Sequence, residues 1–309
     1  MSVALRTGEI KDMRIGAVYP QFEVSADPGA AKAFAVAVED LGYDHILAFD
    51  HVVGGNPSGN AREHFYTNQH GFLEPLMCFA HMAAVTECIE FISGILISPQ
   101  RQTVLIAKQA ATLDFLSGGR LRLGIGIGWN AIEYEALGTD FSVRGKRSEE
   151  QIDLLRRLWT EPLVTFDGKW DRITDAGINP LPKQRPIPIW IGGHKDVAVH
   201  RAARLADGWL PLFPPDERGA AKVATFKQYV ADAGRDIADV GLESWINVGN
   251  YDDGFGALCL SEESWHQWTS GWKKLGATHI TVNTMKSGFT SVDQHIEKLA
   301  QFKQVMAGL

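Results

Sequence analysis

Asp50 and His51 are adjacent residues that could move a proton. A histidine takes up and releases protons near neutral pH, and a neighbouring carboxylate can set its tautomer. The pair directly follows a short apolar segment, HILAF. We therefore take Asp50 and His51 as candidate catalytic residues. The alternative is an aspartate that caps a turn, next to a histidine of the surface or the core.

Gly192 and Gly193 could bind an anion. They lie between the apolar segment IPIWI and a predicted helix that begins near Asp196. Glycines let backbone N–H groups approach an anion closely, and a helix N-terminus adds partial positive charge. A plain tight turn is the alternative.

A second glycine-rich segment, GIGIG, ends at Gly128 and is followed by Trp129 and Asn130. Its glycines could leave space over a flat ring, or they could let strands pack closely. A dinucleotide-binding reading is weak because the spacing is GxGxG and no suitably placed acidic residue follows. We interpret Trp129 as the wall of a pocket.

Four further side chains are ambiguous. Arg144 and Arg147 could bind a phosphate or a carboxylate, or could form surface salt bridges. Trp190 is more typical of the core, and Phe213 could line a pocket or belong to the core.

Short β-rich segments alternate with helical spacing along the whole chain. Strands are predicted at residues 13–19, 45–49, 90–98, 121–127, 187–191, 208–212, 240–247 and 279–282. Helices are predicted at residues 28–41, 75–86, 103–116, 149–159, 196–206, 216–233, 262–275 and 292–306. A hairpin is predicted at 164–173, around the turn signal Asp167–Gly168.

Eight strand–helix pairs predict a (β/α)₈ TIM barrel with a hairpin insertion after the fourth unit. An open, doubly wound sheet is the competing architecture. No linker-like segment divides the chain, so residues 1–309 are predicted to form one domain. In such a barrel the strands' C-terminal ends carry the active site, and the candidate residues named above follow those ends.

Composition narrows the function classes. The 309 residues carry a net charge of −7, with 45% apolar and 22% charged residues, and the pI is about 5.8. This balance disfavours disorder and nucleic-acid binding. No run reaches the length of a membrane span, which is about 18 apolar residues. Three scattered cysteines and the lack of HExxH predict a reduced, cytoplasmic protein without a protein-bound metal.

Five segments together resemble the luciferase-like superfamily of flavin and deazaflavin oxidoreductases. They are FDHVV, SGILISPQRQTVLIAKQAATLDFLSGGRLRLGIGIGW, FSVRGKRSEEQIDLLRRLW, PIPIWIGG and RAARLADGW. Within the superfamily the sequence is most similar to the branch that uses coenzyme F420. The resemblance implies hydride transfer between the deazaflavin and a small organic substrate, in a homodimer.

The resemblance also implies roles for individual residues. It implies a bulge in the third strand at Gly94, Ile95 and Leu96, often with a non-proline cis peptide, behind the deazaflavin ring. It places Asp50 and His51 beside the ring and Ser98 near the polar edge of the ring. It also implies that Gly192 and Gly193 hold the cofactor phosphate, and it leaves Gly128, Trp129 and Asn130 as cofactor-binding candidates.

The residue at position 129 bears on the class of substrate. Sugar-phosphate dehydrogenases of this branch carry an acidic residue where this chain has Trp129, so a more apolar or planar substrate is expected, although Glu133 follows one turn later. The alternatives to an F420-dependent oxidoreductase are an FMN-dependent monooxygenase and a flavin-binding protein without turnover.

Because the net charge is negative, an anionic cofactor needs local cations. The candidates are Arg101, Lys183, Arg185 and Lys195.

Overall fold

The computed structural model describes residues 13–56, 66–250 and 258–307. The strands in these ranges are Arg14–Val18 (β1), His45–Ala48 (β2), Glu90–Ser93 (β3), Leu96–Ile97 (β4), Leu121–Gly126 (β5), Val164–Asp167 (β6), Arg172–Ala176 (β7), Ile189–Gly192 (β8), Gly208–Leu210 (β9), Gly241–Asn247 (β10) and His279–Asn283 (β11). The α-helices are Gln21–Val24 (α1), Ala30–Asp40 (α2), Pro75–Ala83 (α3), Thr103–Ser117 (α4), Ala131–Ala136 (α5), Arg144–Thr160 (α6), Asp196–Leu205 (α7), Glu217–Asp232 (α8), Glu262–Leu275 (α9) and Val292–Met306 (α10).

The parallel strands close into a barrel. Their order is β3-β2-β1-β11-β10-β9-β8-β5, and β3 also pairs with β5. β3 and β4 are two parts of the single strand predicted at 90–98, separated by a cis peptide between Gly94 and Ile95. Beyond that peptide, Leu96 pairs with Ile125 of β5. The predicted (β/α)₈ barrel and the interrupted third strand are therefore confirmed.

The antiparallel pair β6–β7 forms a separate two-stranded sheet between α6 and β8. It is the predicted hairpin insertion after the fourth unit. Two short helices, α1 and α5, were not predicted, because four to six residues are too few to show a helical period. α6 begins at Arg144 rather than at residue 149, since a 3₁₀ turn at Phe141–Val143 leads directly into it.

Charged side chains fill the barrel interior near the starts of the strands. Glu243 accepts hydrogen bonds from Arg122 at 2.7 Å and from Thr281 at 2.6 Å, and its Oε1 lies 2.8 Å from His45 Nε2. Trp190 lies under the Arg122 guanidinium, 4.7 Å from ring centre to Cζ. Trp190 is therefore a core residue, as interpreted from the sequence.

An apolar cluster lies inside the barrel. Its buried members are Val18, Leu47, Phe49, Ile92, Trp190, Leu210 and Met285. Half-buried side chains pack against it: Phe22, Phe72, Ile95 and Trp245. Phe213 belongs instead to the larger core cluster, where its ring packs against Trp209 and Trp272. Within the described ranges, every helix is too short or too polar to span a bilayer.

Candidate active site at the C-terminal end of the barrel

The imidazole of His51 lies where the loop after β2 meets the C-terminal end of the barrel, called the mouth below. Its side chain is 19% exposed. One face stacks on Tyr66 with 3.6 Å between ring centres, and Phe72 meets it edge-on at 4.8 Å. The ring is thus held by packing on aromatic neighbours while part of it stays open to a ligand.

Glu133 supplies the carboxylate that contacts His51. Its Oε1 lies 3.3 Å from His51 Nδ1 and accepts the Val52 N–H at 2.9 Å, while Oε2 accepts from Gln100 at 3.2 Å. Burial alone would raise the pKa of Glu133, but these donors outweigh burial and hold its pKa below the ordinary value. An ionised carboxylate only accepts hydrogen bonds, so Nδ1 of His51 carries the hydrogen.

That tautomer leaves the lone pair of His51 on Nε2. Nε2 has no hydrogen-bond partner among the described residues. A neutral imidazole oriented this way by a carboxylate is suited to accept a proton from a bound molecule. This arrangement is the one expected of a general base. His51 comes from the loop after β2, and Glu133 comes from α5.

Asp50 binds Arg101 and the backbone of β4 instead of the His51 ring. One oxygen accepts from Arg101 at 2.7 Å and the other accepts the Ile97 N–H at 3.0 Å. Burial raises the pKa of Asp50 above its ordinary value, although Arg101 opposes the shift. No hydrogen bond joins the Asp50 carboxylate to the His51 ring among these contacts, so Asp50 fastens the loop after β2 to β4 instead of setting the tautomer.

The interrupted third strand presents Ile95 to the mouth. A Cβ at Gly126 would overlap the Ile95 side chain, and one at Gly192 would lie 2.8 Å from its Cγ2. These glycines therefore make room for Ile95, which favours close packing over an empty space above a ring. Gly94 abuts Leu47 in the same way. The Leu96 side chain points away, into the core cluster between barrel and helices.

Ser98 follows β4 and is completely buried. Its carbonyl accepts a hydrogen bond from Gln151 at 3.1 Å, but its hydroxyl has no partner among the described residues. A buried hydroxyl without a partner is unfavourable unless a ligand or water satisfies it.

Trp129, Asn130 and Tyr66 form one side of the mouth. Asn130 caps α5 through the Ile132 N–H and donates to the Tyr66 hydroxyl at 2.7 Å. Trp129 is 46% exposed and meets Tyr66 edge-on at 5.7 Å. Trp129 therefore lies at the mouth, whereas Asn130 supports Tyr66; that Trp129 forms the wall of a ligand pocket stays a prediction. Gly128, with φ of 63°, makes the turn that leads into this segment.

Gly192 and Gly193 precede α7, as predicted. The Gly193 N–H donates to Leu210 at 3.3 Å, and its carbonyl accepts from Trp209 Nε1 at 2.8 Å. Burial, together with the positive charges of Lys195 and Lys222, lowers the pKa of the next residue, His194. Lys195 and Lys222 thus place positive charge near this end of β8, and the first turn of α7 adds N–H donors to it.

Most of the cations proposed from the sequence lie elsewhere. Arg101 is bound to Asp50 and Glu74. Lys183 and Arg185 belong to the segment before β8, at the opposite end of the barrel from the mouth. That placement is fixed by Gln184, which donates to the Leu121 carbonyl at the start of β5. Of the four, only Lys195 lies beside the predicted anion site.

Sequence reasoning missed Tyr66, and it left open whether Glu133 reaches the site. Tyr66 lies between β2 and α3 in the chain, where no spacing pattern in the sequence marks it. Glu133 lies four residues after Trp129, and the spacing from a strand end to a short capped helix was the available signal.

The chain belongs to the luciferase-like monooxygenase family, whose sequence profile matches residues 13–248. An uncharacterized protein of Mycobacterium tuberculosis is 41% identical over 154 residues, which are 50% of this chain and 52% of that protein. The FMNH₂-dependent dimethylsulfone monooxygenase of Pseudomonas putida is 32% identical over 219 residues, covering 70% of this chain and 57% of the enzyme. The chain thus spans about half the length of the curated relatives it matches.

Among solved structures, an F420-dependent secondary alcohol dehydrogenase in complex with an F420–acetone adduct shares the fold. Its TM-score is 0.78 at 17% identity, with 96% of this chain and 98% of that chain covered. Of these proteins, the Pseudomonas putida enzyme is an FMNH₂-dependent monooxygenase and the solved structure is an F420-dependent alcohol dehydrogenase. Membership of this family supports the conclusion that the protein is an enzyme, of the broad class of oxidoreductases and monooxygenases.

Proposed function

We propose that the protein is an F420-dependent oxidoreductase that transfers a hydride between the deazaflavin and a small organic substrate. The observation that carries the proposal is the His51–Glu133 pair at the mouth. Interconversion of an alcohol and a carbonyl moves one hydride and one proton, so it needs one group that handles a proton beside the redox ring. His51, with its lone pair on Nε2, supplies such a group.

The residues at the mouth fit a bound tricyclic ring with an anionic side chain. Ile95 offers an apolar surface, and Ser98 offers a buried hydroxyl that lacks a partner among the described residues. Lys195 and the N–H groups of the first turn of α7, next to Gly192 and Gly193, fit a phosphate, while the Gly193 N–H itself donates to the Leu210 carbonyl. When bound, the deazaflavin would supply the two-electron hydride chemistry.

The chain's own residues would move the proton and shield the reacting atoms from water. His51 would accept or return the proton at Nε2, and Glu133 would hold the imidazole in the tautomer that this requires. Tyr66 and Trp129 would limit the access of water to the reacting atoms. Because Trp129 and Phe72 give the mouth an aromatic lining, we propose an apolar or planar substrate.

The second candidate is an FMN-dependent monooxygenase, favoured by the Pseudomonas putida enzyme that matches 70% of this chain. Titration of the purified protein with F420 and with FMN, followed by fluorescence, distinguishes the two. Binding of F420 with reduction of a carbonyl or an activated C=C acceptor is expected. Tight FMN binding without F420 binding would overturn the proposal.

A flavin-binding protein without turnover remains the third candidate, and it would bind F420 without reducing any acceptor. We also propose that the protein is a homodimer. Light scattering is expected to give about twice the chain mass of 34.0 kDa, and a monomer mass would contradict this.

A further inference from the structure

Gln100 lies at the end of the 3₁₀ turn that directly follows β4, and its side chain is buried. Its Nε2 donates a hydrogen bond to Glu133 Oε2 at 3.2 Å. The other oxygen of that carboxylate, Oε1, contacts His51 and the Val52 N–H. Gln100 and His51 therefore engage opposite oxygens of one carboxylate, and Gln100 is one step removed from the imidazole.

The charge on Glu133 sets the orientation of the Gln100 amide. The reverse orientation would bring the amide oxygen against a carboxylate oxygen, with no hydrogen between them. In the observed orientation the amide oxygen is buried and has no hydrogen-bond partner among the described residues. A buried oxygen without a partner is unfavourable, so this orientation does not serve the amide itself. It serves the hydrogen bond to Glu133.

The turn that carries Gln100 is anchored from two sides. Asp50 binds Arg101, the residue that follows the turn, at 2.7 Å. Gln151 of α6, which is completely buried, donates to the carbonyls of Ser98 and Arg101, both at 3.1 Å. The backbone is thus fixed before and after Gln100. A donor held in this way loses little conformational freedom when it makes its hydrogen bond.

These contacts form a closed ring that begins and ends at neighbouring residues. Asp50 anchors the turn that carries Gln100. Gln100 donates to Glu133, and Glu133 accepts from His51. Because His51 directly follows Asp50 in the chain, the loop after β2 and the turn after β4 fix each other through Glu133.

We propose that Gln100 is a positioning residue, which keeps the Glu133 carboxylate ionised and turned toward His51. This inference rests on the proposed function, in which His51 handles the proton. A hydrogen bond to the ionised form of a carboxyl group favours that form. A protonated Glu133 could donate to Nδ1 and reverse the tautomer of the imidazole. Gln100 therefore preserves the lone pair on Nε2 of His51 without touching a ligand.

Among the described residues, His51 and Tyr66 are ionisable side chains that face Glu133. The contact with His51 favours the ionised form of Glu133, as the contact with Gln100 does. Burial, with the charge of Glu133, raises the pKa of Tyr66, so this phenol does not titrate at acidic pH. Substitution of Gln100 is therefore expected to act on Glu133 directly, through the lost donor.

The test is a titration of the Glu133 carboxyl carbon by ¹³C NMR in the whole protein, with Glu133→Gln to identify the signal. In the wild type the donors outweigh burial, and the pKa of Glu133 lies below its ordinary value. Gln100→Met keeps the length of the side chain and removes the donor. The pKa of Glu133 should then rise by about one pH unit, a roughly tenfold gain in proton affinity. Gln100→Glu should raise it further, because two carboxylates this close resist ionising together.

Gln102→Met is the matched control, since Gln102 is exposed and its side chain caps no backbone group. It should leave the titration of Glu133 unchanged. An unchanged titration in Gln100→Met, or an equal shift in the control, would overturn the role of Gln100. A wild-type Glu133 that titrates above ordinary glutamates would overturn it without any variant.

Fluorescence titration with F420 tests the proposed function separately from the role of Gln100. Binding of F420 together with the shift at Glu133 supports both. Failure to bind F420, combined with the expected shift, would overturn the proposed function and leave Gln100 as the residue that holds the carboxylate.

Discussion

Oε1 of Glu133 lies 3.3 Å from Nδ1 of His51 and accepts its hydrogen, although 82 residues separate the two in sequence. The same oxygen accepts the Val52 N–H, so Glu133 fixes both the imidazole and the backbone that follows it. Because the Glu133 carboxylate is buried and its pKa is lowered by these donors, it stays an acceptor at neutral pH. Glu133 of α5 therefore fixes which ring nitrogen of His51, in the loop after β2, is available to a ligand.

The first prediction concerns His51. Replacement His51→Ala should lower turnover by about 10²- to 10⁴-fold, because a positioned proton-handling group is lost. Cofactor affinity, measured by fluorescence titration, should stay nearly unchanged. His200→Ala, on the exposed face of α7, is the matched control. A loss of less than about threefold would remove His51 from the reaction.

The second prediction tests Glu133 as a positioning residue. Glu133→Gln keeps the shape but adds an amide donor that can face Nδ1, which favours the wrong imidazole tautomer. Turnover should fall by about 10- to 100-fold, while KM and cofactor Kd change little. Glu135→Gln, two residues later and exposed, should be neutral. An equal loss in both variants would point to helix damage instead.

The third prediction separates Asp50 from the chemistry. In Asp50→Asn, the amide NH₂ replaces an acceptor that now binds Arg101 or the Ile97 N–H. We expect the free energy of unfolding to drop by about 1–3 kcal/mol in denaturant titrations, because buried donors lose their acceptor. His200→Ala, on the exposed face of α7, should leave stability nearly intact. Wild-type stability combined with lost turnover in Asp50→Asn would instead make Asp50 catalytic.

The fourth prediction concerns the charged layer near the strand starts. Burial, with the positive charge of Arg122, lowers the pKa of His45 and holds that of His279 well below 6.5. Both imidazoles therefore stay neutral in the folded protein at pH values where the unfolded chain is already protonated. Their contribution to stability is complete above about pH 6.5 and is lost as the pH falls below it.

Thermal or urea unfolding between pH 7 and pH 5 measures this effect. The free energy of unfolding should fall by up to about 4 kcal/mol over this interval for two such histidines. His279→Gln should remove about half of the contribution of these two histidines, and His200→Gln, on the surface, should remove none. A flat profile in the wild type would show that the buried imidazoles bind protons in the folded state.

Much of the fold was predictable because it follows from local sequence patterns. Apolar β-rich segments and helical spacing placed all eight barrel strands and the eight helices that follow them, since each buries one face against its neighbour. The turn signal Asp167–Gly168 correctly placed the hairpin. The short helices α1 and α5 were not predicted, because four and six residues are too few to show a helical period, and α5 is capped by Asn130.

The sequence by itself determined the (β/α)₈ order and therefore which residues follow the strand ends, because alternating strands and helices leave parallel pairing as the route to a closed core. It also determined that Asp50, His51, Ser98 and Trp129 would come to one end of the barrel. Only the tertiary structure decided which groups touch, because contacts across the barrel depend on register and rotamer rather than on sequence spacing. It paired Asp50 with Arg101 and Glu133 with His51, and it brought the tip of the β6–β7 hairpin against α6.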